Sequence, residues 1–199
     1  MIKRYNKNQI KELSEILKND GVISVPTDTV YGLCARIDSI NAYNKLLKAK
    51  NRPQEKLFSI MCANEEQIKS IAKVDERAKK IIKHFMPGPI TLILNKKEEN
   101  PDFITNGGKT IAVRMATSKT LEELINAVGV PVFMTSANRS GEQTCSSLDE
   151  IKKSCPNIDG MLEGKIKYNQ SSTIIDCTTE KIRVLREGPV AIEEIYKVI

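Results

Sequence analysis

The sequence predicts a single α/β domain over residues 1–199, built on a mixed sheet, and three observations carry that prediction. Short apolar, β-branched runs alternate with segments whose apolar residues recur at helical spacing. No repeat, low-complexity tract or linker-like stretch divides the chain. Its 199 residues, 40% hydrophobic and 28% charged, suit one well-filled globular core.

The elements follow in order. Ile10, Leu13, Ile16 and Leu17 mark one face of a first helix that stops near Asp20-Gly21. Residues 22–25 read as a buried strand. Pro26 then withdraws a ladder donor, and Thr27, Asp28 and Thr29 place two hydroxyls and a carboxylate within three residues. Taken alone, residues 26–33 fit two readings equally: a strand-to-helix turn with locally bonded polar groups, or a ligand loop at a strand's carboxyl end.

A second helix, about residues 39–50, buries Tyr43, Leu46 and Leu47. Residues 57–62 form the next strand, followed by helices near 64–72 and 75–85. Met86-Pro87-Gly88-Pro89 breaks the last of these, and residues 90–94 and 111–115 are strands. Thr120-Leu121-Glu122-Glu123 and Ser147-Leu148-Asp149-Glu150 are capping-box patterns, with a central strand at 130–134 between them. Two short strands at 173–176 and 182–185, joined by a turn, precede a closing helix at 191–198.

Composition removes several classes of function. Five widely spaced cysteines (Cys34, Cys62, Cys145, Cys155, Cys177) form no Cys-x-x-Cys pair, so free, half-buried thiols are expected rather than zinc ligands or disulfides. His84 is the only histidine, which argues against a histidine triad or a multi-histidine metal site. No apolar run of about 18 residues is present and no signal-peptide core follows the N-terminus, so no membrane partner and a cytoplasmic location are expected. The net charge of +6 suits an anionic partner, although helix-face lysines such as Lys69, Lys79 and Lys83 supply much of it. Without tryptophan, a platform for stacking single-stranded bases is poorly supplied. Gly107-Gly108-Lys109-Thr110 imitates the end of a P-loop. Phe103 stands where its first glycine belongs, though, and a strand follows where a helix should.

Chemistry therefore rests on cations and small hydroxyls at strand ends. Lys50 and Arg52 flank Asn51 ahead of Pro53, and Lys56 follows just before a strand. That grouping suits a polyanion, and equally a helix C-terminus complemented by cations. Arg114 lies within an apolar strand, so its charge requires a carboxylate partner or a ligand. Arg186 ends another apolar run. Thr135-Ser136-Ala137-Asn138-Arg139-Ser140-Gly141 follows a strand and offers hydroxyls and amides to phosphate or carboxylate oxygens, as Ser171-Ser172-Thr173 does before another.

In register, these pieces resemble the YrdC-like family of L-threonylcarbamoyladenylate synthases. The matching motifs are Pro-Thr-Asp-Thr-Val-Tyr-Gly-Leu at 26–33, Lys-Asn-Arg-Pro at 50–53, Pro-Gly-Pro-Ile-Thr-Leu at 87–92 and Ala-Val-Arg at 112–114. Thr-Ser-Ala-Asn-Arg-Ser-Gly at 135–141, Ser-Thr-Ile-Ile-Asp at 172–176 and Arg-Glu-Gly-Pro at 186–189 complete the set. The resemblance implies a twisted mixed sheet with flanking helices and a basic concave cleft. It implies ATP with Mg²⁺, L-threonine and bicarbonate as substrates, and threonylcarbamoyl-AMP and pyrophosphate as products. Downstream threonylcarbamoyl-transferase proteins would carry the group to adenosine 37 of ANN-decoding tRNAs, and tRNA itself is a further candidate partner. By similarity Thr29, Arg114, Ser136 and Ser172 contact threonine or its carbamate. Arg52, Lys56, Thr110, Asn138, Ser146 and Arg186 contact ATP, with Lys50 near the phosphates. Lys50, Arg52 and Lys56 are the expected catalytic cations, and no protein-bound metal is expected. The chain departs from the family pattern at Leu57 and Ala116, where proline is common, and at Met61, where histidine is common. Two alternatives stand beside this reading: a module binding double-stranded RNA or tRNA by shape, and a related carbamoyl-adenylate-forming enzyme.

Overall fold

Residues 2–168 and 170–199 are described by the computed structural model. The chain opens with β1 (Arg4–Tyr5), α1 (Ile10–Lys18), β2 (Ile23–Pro26) and β3 (Tyr31–Arg36). It continues through α2 (Ile40–Lys50), β4 (Ser59–Cys62), α3 (Glu65–Ile71), β5 (Ala72–Lys73), α4 (Glu76–Phe85) and β6 (Ile90–Lys96). A 3-10 turn (Asp102–Thr105) leads to β7 (Thr110–Met115), α5 (Lys119–Val128), β8 (Val132–Ser136) and α6 (Leu148–Ser154). The last elements are β9 (Gly160–Leu162), β10 (Thr173–Asp176), β11 (Arg183–Arg186) and α7 (Ile192–Tyr196). The described strands form one mixed sheet in the order β1-β9-β2-β3-β8-β4-β7-β6-β10-β11, with β5 on the side of β6.

Strand alternation sorts the apolar residues to two faces. Leu33, Ile60, Val113 and Phe133 join Tyr43 and Leu46 of α2 and Ile81 and Ile82 of α4 in one core. Their neighbours Cys34, Met61, Val132 and Met134 face Leu13 and Leu17 of α1 and Leu121 and Leu124 of α5 on the other. The second face is covered by helices over only part of its width, and that asymmetry creates the site.

Residues 26–33 form a hairpin, which corrects the turn into a helix. Tyr31 opens β3, which returns antiparallel to β2 with Val25 opposite Gly32. Periodicity could not show β3, because it is buried on both faces from Tyr31 to Ala35. Gly32 leaves room there for the Met134 side chain, whose Sδ would lie 2.4 Å from an added Cβ. The central strand also runs later than expected, so Thr135 and Ser136 belong to β8 rather than to the loop after it.

Helix starts show where capping logic succeeds and slips. Ser118, rather than Thr120, caps α5, accepting from the Leu121 N–H; its backbone is extended, whereas Thr120 is already helical. Ser147 caps α6 as expected, but the Glu150 carboxylate returns to the Ser146 N–H at 2.8 Å instead of to Ser147. The strands β1, β5 and β9 span two or three residues each, too few for periodicity to reveal. All five cysteines are free and buried, more enclosed than the half-buried expectation. The Gly107-Gly108 turn leads into β7, as the P-loop argument requires.

Candidate active site

The uncovered stretch of sheet is the floor of a cleft of about 390 Å³. Adjacent strands contribute alternate residues to it: Gly32 from β3, Met134 and Ser136 from β8, and Ser59 from β4. Thr110, Ala112 and Arg114 come from β7, Thr91 and Ile93 from β6, and Ile174 from β10. Several of these are glycine, alanine, serine or threonine, and their small size is what leaves the space. Between them, Leu33, Phe133, Ile60, Val113 and Leu92 turn the other way into the core. Thr27, Thr29 and Val30 of the β2–β3 turn close one wall.

That turn is organised by one hydroxyl. Thr27 Oγ1 donates to the Val30 carbonyl at 2.6 Å and accepts from the N–H groups of Thr29 and Val30. Thr29 is thereby held 1% exposed, with its hydroxyl 3.0 Å from that of Thr27. Arg114 crosses the floor to meet the same turn. One terminal nitrogen donates to Thr29 Oγ1 at 3.1 Å, and the other donates to Asp28 Oδ1 at 2.9 Å and to the Gly88 carbonyl at 3.2 Å. The carboxylate partner that Arg114 requires is therefore Asp28. Burial pushes the Arg114 guanidinium below its ordinary pKa, and Asp28 opposes that shift.

The other two cleft arginines have no carboxylate within ion-pair distance among the described residues. Arg52 donates to the carbonyls of Lys56 and Leu57, both at 2.7 Å, and stacks 5.1 Å from the Phe58 ring. Arg186 donates to Ser172 through its carbonyl at 2.8 Å and its hydroxyl at 3.1 Å. Burial lowers the pKa of both, and Arg114 adds to the lowering at Arg186. Ser172 Oγ lies 2.8 Å from Thr91 Oγ1. Gly188 makes this corner possible: a Cβ there would stand 2.4 Å from the Thr173 nitrogen and 2.5 Å from the Ser171 oxygen. Two cations held by neutral oxygens in a concave site leave a net positive field for an anion.

Of the residues singled out from sequence, Thr29, Arg52, Thr110, Arg114, Ser136, Ser172 and Arg186 all line this cleft. Lys50, Lys56, Asn138 and Ser146 do not. Lys50 is 1% exposed beneath the floor, where its ammonium meets four oxygens of Ser136 and Asn138. Burial and Arg52 lower its pKa to about 8. Lys56 is exposed and offers its carbonyl to Arg52. Ser146 lines an adjoining open hollow of about 970 Å³ with Arg139 and Lys153, and its hydroxyl donates to Glu150 at 3.0 Å. The hollow and the cleft share Val30 and Ser171, so the two adjoin.

Sequence reasoning gave no role to Ser59, Thr91 or Gly88, although the last two lie within the motif at 87–92. Thr91 and Ser59 could have been found from alternation, since each is a small polar residue between apolar strand neighbours. Nothing local signals the Gly88 carbonyl. Of the three family departures, Leu57 lines the cleft, whereas Met61 and Ala116 are buried in the second core outside it.

Comparisons with known proteins show the family and the fold. A family model described as "Telomere recombination" and named for Sua5, YciO and YrdC matches residues 15–188. The threonylcarbamoyl-AMP synthase of Yersinia enterocolitica is 31% identical over 190 residues, which cover 91% of this chain and 97% of that one. P. abyssi Sua5, solved in complex with L-threonine, superposes with a TM-score of 0.93 at 33% identity. That match covers 100% of this chain and 61% of the other, so the chain spans about three fifths of that relative. E. coli YciO superposes with a TM-score of 0.88 at 27% identity, covering 98% of this chain and 100% of that one. With a family model spanning most of its length and a relative matched nearly end to end, the chain belongs to the Sua5/YciO/YrdC family.

Proposed function

We propose that this chain, acting as one domain over residues 1–199, is an L-threonylcarbamoyladenylate synthase. It joins L-threonine, bicarbonate and ATP into threonylcarbamoyl-AMP and pyrophosphate. The observation that carries the reading is the pair Arg52 and Arg186, two cleft cations whose recorded partners are neutral oxygens and, for Arg52, the Phe58 ring. They flank a floor of hydroxyls, which suits a triphosphate at one end and a small polar amino acid at the other. The threonine amine adds to carbon dioxide, releasing a proton, or to bicarbonate, releasing water, to give a carbamate. Its anionic oxygen attacks the α-phosphorus, and the bond to pyrophosphate breaks. No protein nucleophile is needed, in keeping with hydroxyls that have no histidine beside them. The site's contribution is orientation and donors for charge gathering on phosphate oxygens.

In this reading Thr29, Arg114, Ser136 and Ser172 serve the threonine end. Arg52, Thr110 and Arg186 serve the nucleotide, Lys56 lies at the rim, and Ser146 lies in the adjoining hollow. ATP enters as its Mg²⁺ complex, the ion arriving on the phosphates as part of the substrate. The product supplies transfer proteins acting on adenosine 37 of ANN-decoding tRNAs. Among the described residues no helix is long and apolar enough to cross a membrane. The test is pyrophosphate release from ATP across the amino acids, with and without bicarbonate. Release that requires both L-threonine and bicarbonate supports the proposal. Salt-sensitive tRNA binding with no turnover would replace it with an RNA-binding module.

A further inference from the structure

The Ser136 hydroxyl can be assigned a direction, because it carries one proton and its partners fix where that proton goes. Lys50 has donors only, and its three protons are spread over four oxygens. These are the Ser136 carbonyl at 2.6 Å, Asn138 Oδ1 at 2.7 Å, Ser136 Oγ at 3.2 Å and the Asn138 carbonyl at 3.3 Å. No ammonium proton remains for a substrate. Asn138 is oriented by the same contacts: its Nδ2 donates to the Glu142 carbonyl at 2.7 Å, so Oδ1 must face Lys50. Ser136 Oγ lies 2.7 Å from that Oδ1, which only accepts. The Ser136 proton is therefore committed to Asn138, and one lone pair is taken by Lys50. What Ser136 presents to the cleft is the other lone pair.

Thr29 is not fixed in this way. The Thr27 proton goes to the Val30 carbonyl and both Thr27 lone pairs are taken by the N–H groups of Thr29 and Val30, so the 3.0 Å contact between the two hydroxyls assigns no direction to Thr29.

We infer that Lys50 is a positioning residue that fixes Ser136 as a hydrogen-bond acceptor, so that Ser136 reads a donor group of the amino-acid substrate. That group is its side-chain hydroxyl or its N–H. The arginines remain as the donors that read acceptors. The inference rests on the proposed synthase activity and deepens it: the amino-acid end of the cleft selects by accepting protons. The buried Lys50 takes no part in holding phosphate.

The test compares wild type with Lys50→Met, Lys50→Arg and Ser136→Ala, measuring kcat and KM separately for L-threonine and ATP. L-2-aminobutyrate, which lacks only the hydroxyl, is the competing substrate. Wild-type pyrophosphate release is the first control, because its absence refutes the synthase reading rather than this one. Losing a well-placed acceptor predicts a KM for L-threonine about 10- to 100-fold higher in Lys50→Met and Ser136→Ala. The KM for ATP stays within about threefold, and Lys50→Arg recovers part of the loss. If Ser136 reads the hydroxyl, the preference for threonine over 2-aminobutyrate collapses in both variants. If it reads the N–H, both amino acids weaken in parallel. Should Lys50→Met fail to fold by circular dichroism, Ser136→Ala and Lys50→Arg decide. A Lys50 variant that raises the KM for ATP while sparing threonine overturns the inference, as does Ser136→Ala with unchanged amino-acid kinetics.

Discussion

Asp28 and Arg114 form an ion pair at 2.9 Å in which the two side chains are only 11% and 7% exposed. The pair joins the β2–β3 turn to the cleft floor, 86 residues away in sequence. It is incompletely satisfied: Asp28 Oδ2 and Arg114 Nε are buried without a hydrogen-bond partner. An ion pair this enclosed stabilises little over an apolar pair of the same shape, but removing one member strands the other. Asp28→Ala should therefore cost about 3–5 kcal/mol of folding stability by urea titration. A loss below about 1 kcal/mol would mean that water reaches Arg114 in its place.

Arg52 has the opposite character. Its partners are two carbonyls and one ring face, so Arg52→Ala should leave the melting temperature nearly unchanged. Turnover should fall about 10²–10³-fold if it stabilises charge on the departing pyrophosphate. Arg52→Lys should not restore it, because one ammonium cannot hold both carbonyls and a phosphate in the planar fork of a guanidinium. Steady-state pyrophosphate release gives the answer, and wild-type turnover in Arg52→Ala removes the residue from the chemistry.

Gly188 is closed on its Cβ side by backbone atoms, which cannot rotate away. Gly188→Ala should push Ser172 and Arg186 apart, lowering stability by about 1–3 kcal/mol. The KM for substrates should rise with it. Chemical denaturation and kinetics on the same preparation test both halves. At Gly32 the obstructing atom is the flexible end of Met134, so Gly32→Ala should be milder on stability and act mainly through the cleft.

Lys50 predicts a pH effect with two signs. Burial and Arg52 lower its folded pKa to about 8 from 10.5, while buried Cys145 and Cys155 act weakly the other way. The unfolded chain then binds the extra proton between those values, so this group's contribution to stability rises as pH climbs from about 8 toward 10.5. Activity should move oppositely, because a neutral amine no longer holds both Ser136 and Asn138. Urea midpoints and kcat/KM across that range should diverge in wild type. The activity limb should shift upward in Lys50→Arg, and parallel curves would contradict the positioning role.

Most of the architecture was legible because local rules governed it. Ser39 and Asp75 cap where the helices were expected to begin, and the apolar face of α1 follows its heptad-like spacing. The hairpin at β3 was hidden because burial on both faces erases alternation. The cations of the site were legible as types but not as roles. Lys50 and Arg52 are two residues apart at the end of α2, yet one turns inward beneath β8 and the other outward into the cleft. Which way each turns depends on β8 and its loop some 86 residues onward, and no local pattern encodes that distance.

The most direct measurement follows the carbon. With ¹³C-bicarbonate, L-threonine and MgATP, mass spectrometry of the nucleotide product should show threonylcarbamoyl-AMP heavier by one mass unit, formed in step with pyrophosphate. A nucleotide product without the labelled carbon, or labelled bicarbonate left unconsumed while ATP is turned over to ADP, would contradict the synthase reading of this cleft.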